Sequence, residues 1–152
     1  IDRWGNINTT VVGPYASPKV RLPGSGGASE IAVHAQRTLV ISKLNKRAFP
    51  AEVDFITSPG MRCKGKSRKE LGMPGAGPVK VITDKAVLEA DPASGELVLT
   101  ALYPGVSAAD VQAGVGWELK TAPKLGAVQA PSPEDLRLLR EVLDPQKLFL
   151  KG

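Results

Sequence analysis

Residues 79–102 hold three short apolar runs set apart by turn residues, and this pattern limits the fold more than any other in the chain. Val79–Thr83 and Ala86–Ala90 are each of strand length. Asp91-Pro92-Ala93-Ser94-Gly95 then collects residue types that reverse a chain, and Glu96–Leu102 (ELVLTAL) resumes the apolar run. Residues 86–102 therefore read as a hairpin. Further strand-length runs are Thr9–Val12 (TTVV), stopped by Gly13-Pro14, and Val53–Thr57 (VDFIT), ended by Ser58-Pro59-Gly60. Thr38–Ser42 (TLVIS) is continuously apolar enough to predict a strand covered on both faces. Trp117–Lys120 reads as one more strand.

Two helix starts punctuate the second half. Ser107 with Asp110 three residues on has capping-box spacing and opens a short helix ending near Gly114. Ser132-Pro133-Glu134-Asp135 places an N-cap serine, a first-position proline and acids in the first turn. Leu136, Leu139 and Leu143 follow on one face until Pro145. Strands interleaved with short helices make the fold class α/β, an open mixed sheet with short flanking helices. The 152 residues fit one ordinary domain.

Composition narrows the function. No stretch approaches the roughly 20 apolar residues that cross a bilayer, so no membrane partner is expected. One cysteine and one histidine exclude a disulfide framework within the chain, a multi-cysteine zinc site and a histidine-rich metal site. No metal is expected, and the cysteine usage fits a reducing, cytoplasmic compartment. The motifs GxxxxGK[ST], GxSxG, HExxH and CxxC are all absent.

The net charge is +5, and part of it is concentrated. Arg62, Lys64, Lys66, Arg68 and Lys69 fall within a stretch that also contains Gly60, Gly65 and Gly72, between Pro59 and Pro74. That reads as a mobile loop, either simply solvated or an anion site in which Lys64 and Lys66 meet phosphates of a ligand. A nucleic-acid partner is not expected, because none of the chain's seven aromatic side chains lies in this stretch to stack a base.

Residues 13–27 form a long loop, rich in glycine and proline, that ends in Leu22-Pro23-Gly24-Ser25-Gly26-Gly27-Ala28 before a helix-compatible run through Gln36. Glycines at such a place let backbone N–H groups point at a bound anion or carbonyl oxygen. The spacing is not the dinucleotide fingerprint, and the segment before it is loop rather than strand.

Four segments in order carry a resemblance. They are Asp2-Arg3-Trp4-Gly5-Asn6-Ile7-Asn8, then Arg21-Leu22-Pro23-Gly24-Ser25-Gly26-Gly27-Ala28, then Val79–Asp84, then Leu102-Tyr103-Pro104-Gly105-Val106 before Asp110. Together they resemble the β subunit of family I CoA-transferases, of the glutaconate CoA-transferase type, over essentially all of residues 1–152. The resemblance begins inside that subunit. It implies that residues 1–152 are the C-terminal portion of a single CoA-transferase β-subunit-like domain, incomplete on its N-terminal side, with roughly a hundred residues upstream.

In this family a glutamate attacks an acyl-CoA thioester to give an anhydride, and CoA thiolate then attacks the anhydride to give a glutamyl-CoA thioester. Repetition with a second carboxylate completes the exchange. Each step passes through an oxyanion that needs placed N–H donors. The resemblance assigns that catalytic role to Gly26, Gly27 and Ala28; Gly24, Ser25 and Asn6 are read with them as substrate-binding residues, and Lys64 and Lys66 are added from the charge of the basic loop as candidate contacts to the CoA phosphates. The nucleophilic glutamate lies upstream and corresponds to no residue here. Coenzyme A is a substrate, and no cofactor is implied. The implied partners are an α subunit, the N-terminal part of the β subunit, an acyl-CoA and a carboxylate.

Other candidates carry weaker chemistry. Glu30 reads as helix N-terminal charge rather than a nucleophile. His34 stands four residues beyond it, at contact spacing. Cys63 has cationic neighbours but no histidine partner in its segment, and reads as inert. Trp4 and Trp117 read as core or interface aromatics, and Asn6 and Asn8 as turn-formers or cleft residues. Two alternatives to transfer stay open: a hydrolase of CoA esters or of ring-derived β-keto acyl-CoA on the same fold, and a non-enzymatic binding module. The intact glycine turn favours transfer, since the hydrolytic relatives tend to depart from it.

Overall fold

The computed structural model describes residues 1–149. In chain order its elements are β1 (Val11–Val12), β2 (Val20–Arg21), α1 (Ala28–His34), β3 (Thr38–Ile41), β4 (Arg62–Cys63), β5 (Lys66–Ser67), β6 (Pro78–Ile82), β7 (Ala86–Ala90), β8 (Leu97–Leu102), α2 (Ala108–Gln112), β9 (Thr121–Ala127) and α3 (Pro133–Arg137), the last continued by a π-helical turn over Leu138–Leu143. Five of the strands form one mixed sheet in the order β3-β6-β7-β8-β9. The outer pairs β3/β6 and β8/β9 are parallel and the inner pairs antiparallel. This is the expected α/β mixed sheet with short helices.

The expected hairpin is its centre. β7 and β8 pair from Ala86↔Leu102 to Ala90↔Leu97. Their turn is closed by Asp91, whose Oδ1 accepts from the backbone N–H of Ser94 at 2.7 Å and from its hydroxyl at 2.8 Å, before Gly95 at φ +76°. The tighter turn from β6 is held by Thr83, whose hydroxyl donates to Ala86 O at 2.8 Å and accepts from Ala86 N at 2.9 Å. Alternate residues of these strands face one way. Val81, Leu88, Leu97 and Leu99 are buried with Leu44, Phe49, Val111, Val115 and Trp117 in a single core. Each such side chain contributes about 1.5–3 kcal/mol on burial. α2 brings Val111 to that core, and the Ser107–Asp110 capping box is formed as read.

Several expectations are corrected. Val53–Thr57 is irregular and makes no strand; beside it only an isolated bridge joins Ile7 to Ser58. Asp54 interrupts its apolar run, and the Asp54 carboxylate accepts from Gly13 N at 2.8 Å instead of lying along a sheet. Thr38–Ile41 is a strand but is not covered on both faces, for Leu39 is 62% and Ile41 82% exposed at the sheet edge. Trp117–Lys120 is not a strand. Trp117 fills the core while Gln112 bridges its O and Leu119 N, and pairing begins only at Thr121. β9 escapes a pattern search because it contains Pro123 and Gly126. An edge strand tolerates both, and the register of β9 slips between Leu99 and Ala101. After the capped start at Ser132 the helix passes into the π-helical turn, with Leu139 and Leu143 exposed rather than buried.

The basic stretch is not a featureless loop. β4 and β5 pair around the two-residue turn Lys64-Gly65, with φ +49° and +82°. Positive φ at both central residues is the hairpin turn whose twist matches its strands. No helix of the described residues is long and apolar enough to cross a membrane.

Candidate functional site

The glycine-rich loop hangs between two fixed points. On the near side, Gly24 N donates to Thr9 O at 2.7 Å and the Thr9 hydroxyl donates to Gly24 O at 2.8 Å. Thr9 is itself braced, its N–H donating to the Thr57 hydroxyl at 2.9 Å. On the far side the chain enters α1, where Ile31 N donates to Gly27 O at 3.1 Å. Between these points Gly24 and Gly26 have φ of +96° and +50°, conformations that glycine adopts without steric cost. Gly27 is the N-cap residue at an ordinary φ of −83°.

The donors of this loop are not equivalent. Ala28 N donates to Ser25 O at 2.9 Å, closing a turn. Among the described residues nothing accepts from the N–H groups of Gly26 and Gly27, and apart from the adjoining residues no atom lies within 4 Å of where a Cβ on Gly24, Gly26 or Gly27 would stand. Two adjacent N–H groups, both on exposed residues, are thus left without a partner in the described chain. Glu30 and His34 on α1 form the i,i+4 contact that their spacing allowed, Oε2 to Nε2 at 3.5 Å, with both side chains exposed.

The Asp2–Asn8 segment is a bracket. Asp2 accepts from Trp4 N, Asn6 N and Asn6 Nδ2 at 2.9–3.0 Å. Asn6, 2% exposed, donates to Arg62 O at 2.9 Å and accepts from Gly60 N at 2.7 Å and from the Cys63 thiol at 3.2 Å. Every polar position of the Asn6 amide is occupied within the chain, so it ties the N-terminal turn to residues 60–63. Asn8 closes its own turn, accepting from Thr10 N and Val11 N. Burial pushes the Cys63 thiol above its ordinary pKa, which agrees with the inert reading. Trp117 is in the core, and Trp4 lies under the Arg62 guanidinium at 5.8 Å.

The candidate residues are not all brought together. Lys64 joins Trp4, Asn6, Asp54 and Phe55 in lining a cavity of about 440 Å³. Residues 24–28 do not line that cavity, and Lys66 stands exposed on β5. Among the described residues no cluster of His, Cys, Asp or Glu is placed to hold a metal ion.

One functional candidate was hidden in the cation run. Arg68 is 7% exposed, and among the described residues no carboxylate pairs with it. Its Nε donates to Gly75 O at 2.7 Å, Nη1 to Gly60 O at 3.0 Å and Pro59 O at 3.3 Å, and Nη2 to Ala32 O at 2.8 Å and Val33 O at 3.0 Å. No signal in the sequence distinguishes it from its four cationic neighbours.

Comparison with known proteins supplies the context for the loop. The family model for Coenzyme A transferase matches residues 1–114. The chain is 46% identical over 140 residues to the β subunit of the 3-oxoadipate CoA-transferase of Pseudomonas knackmussii, covering 92% of this chain and 54% of that protein. It is 39% identical over 152 residues to the β subunit of the glutaconate CoA-transferase of Acidaminococcus fermentans, 99% of this chain and 56% of the relative. The crystal structure of that glutaconate CoA-transferase superposes with a TM-score of 0.88 over 100% of this chain and 58% of the other. The structure of Rhodococcus jostii IpdAB, 28% identical, superposes at 0.84 over 97% of this chain and 59% of the other. The chain therefore spans little more than half the length of the curated relatives it matches. With the family model matched from the Asp2–Asn8 bracket through the glycine loop to α2, the chain belongs to the coenzyme A transferase family.

Proposed function

We propose that this chain is the C-terminal portion of the β subunit of a CoA-transferase, which moves CoA between an acyl-CoA and a carboxylate through an enzyme glutamyl-CoA thioester. The observation that carries the reading is the pair of unpaired N–H groups at Gly26 and Gly27, on exposed residues of a loop held at both ends. When a carboxylate adds to a thioester carbonyl, the C=O electron pair moves onto oxygen; collapse expels CoA thiolate and leaves an anhydride. Donors already in place stabilise that oxygen without reorganising. Ala28, whose N–H is engaged, shapes the turn, while Gly24 and Ser25 line the approach. The attacking glutamate belongs to the part of the enzyme outside residues 1–152, and CoA enters as substrate.

Identity of 46% and 39% to transferase subunits, against 27% to the cholesterol ring-cleaving hydrolase IpdB subunit of Rhodococcus jostii, favours transfer over hydrolysis. The remainder of the β subunit, in this reading, covers the exposed edge at β3, and an α subunit completes the enzyme. A cytoplasmic location fits the free thiol of Cys63. Lys64 and Lys66 meet the CoA phosphates. Charge reversal at both weakens CoA binding, the loss shrinking as salt rises; affinity unaffected by the change removes them from the site.

Gly27→Val in the assembled two-subunit enzyme tests the core of the proposal, with glutaconate and 3-oxoadipate as acceptor probes and acetyl-CoA and succinyl-CoA as donors. Gly27 needs neither positive φ nor close packing, so the fold accommodates the change. The expected result is a loss of about 10²–10³ in kcat. Undiminished turnover would show that the oxyanion is held elsewhere. Free CoA accumulating without an acceptor carboxylate would identify a hydrolase.

A further inference from the structure

The tip of the glycine loop, Gly26 and Gly27, is exposed, and no residue beyond its neighbours stands where a side chain on it would go. Its position is inherited from Thr9 on one side and α1 on the other. α1 has seven residues, a length of about 10 Å, and its buried residue is the small Ala32. Helices this short are unstable alone, so its placement depends on bonds to the rest of the chain. Those bonds gather at its C-terminal end. Arg68 Nη2 holds Ala32 O and Val33 O, and Gly75 N also donates to Val33 O at 3.0 Å. The contact is close, for a Cβ on Gly75 would stand 2.4 Å from Ala35 O. The same guanidinium plane reaches Gly60 O, and Gly60 N is bound by the Asn6 bracket.

We propose that Arg68 is a positioning residue for the reaction: its fork fixes the C-terminal half of α1 against residues 59–60 and 75, and through the helix fixes the two free N–H groups of Gly26 and Gly27. The inference rests on the oxyanion role of that loop. A planar fork is needed because the five carbonyls approach from three segments. A lysine offers three donors from a single point and cannot meet them all. Displacement of an aligned catalytic group by about 1 Å costs on the order of 10²-fold in rate.

The test uses Arg68→Lys and Arg68→Gln in the complete two-subunit enzyme, beside Gly27→Val, with the same acceptors and donors. In the Arg68 variants, kcat per assembled complex falls about 10²-fold while KM for the acyl-CoA stays within about threefold, the split expected when an interaction of the transition state is lost. Hydrogen exchange rises in peptides covering residues 24–34, with the lysine variant less affected than glutamine. Normal kcat in assembled Arg68 variants, with Gly27→Val crippled, would leave the loop's role standing and overturn the positioning role. Normal turnover in Gly27→Val would remove both. Should neither Arg68 variant assemble, hydrogen exchange of the unmodified enzyme decides. Residues 28–34 and 68–75 opening as one unit supports the coupling, and independent opening refutes it.

Discussion

Gly24, Gly26 and Gly27 are one motif in the sequence but answer to different physics. The first two need positive φ, which a side chain strains. Gly27 does not, and its missing side chain leaves room for something outside the chain. The loop was legible because glycine density before a helix is a local signal. Arg68 was not, because its burial is decided by carbonyls at residues 32–33, 59–60 and 75, and local composition reports only one more cation in a basic run. Cys63 lies between these cases: its cationic neighbours invited a reactive thiol, whereas desolvation dominates and raises its pKa. Its thiolate fraction at pH 8 is therefore below that of an ordinary cysteine, and a disulfide reagent should modify it slowly in the native protein and readily in urea. As pH rises past the ordinary thiol pKa of roughly 8.5 the unfolded chain loses its proton first, so this group's contribution to stability falls with increasing pH. Native labelling as fast as that of an unfolded control would contradict the burial.

At the scale of elements, the hairpin β7–β8 and the capped starts at Ser107 and Ser132 were readable because each rests on contacts within a few residues. Val53–Thr57 and Trp117–Lys120 failed for the opposite reason. Their apolar side chains resemble a strand's, but among the described residues no strand pairs along 53–57, β8 reaches 117–120 only through Leu99 N to Lys120 O, and Asp54 and Trp117 are drawn to other contacts. β9 inverts the lesson: with Pro123 and Gly126 it has poor strand composition, yet β8 presents a parallel edge and pairs with it. The hairpin carries the core, so Leu88→Ala should lower stability by about 2–5 kcal/mol in denaturant unfolding monitored by Trp117 fluorescence. A loss below about 1 kcal/mol would show that the core collapses around the lost volume.

Across the whole molecule, the sheet ends at β3 with Leu39 and Ile41 uncovered, and Ile41 joins Ile1, Val12, Leu22 and Val40 in lining a cavity of about 760 Å³. In the proposed reading, in which further parts of the subunit pack against residues 1–152, such a part covers this apolar edge. Ile41→Lys should then destabilise the full-length subunit by about 1.5–3 kcal/mol, the worth of burying such a side chain. An unchanged melting temperature in the full subunit would mean that β3 stays open there too. Sequence by itself determined the α/β class, the central hairpin, the helix caps and the glycine loop, and with them the family resemblance, because each is written in spacing and backbone preference over a few residues. Only the tertiary structure decided which strands have partners, which cation is interior and which N–H groups stay free, because burial and hydrogen bonding depend on groups that meet from distant parts of the chain.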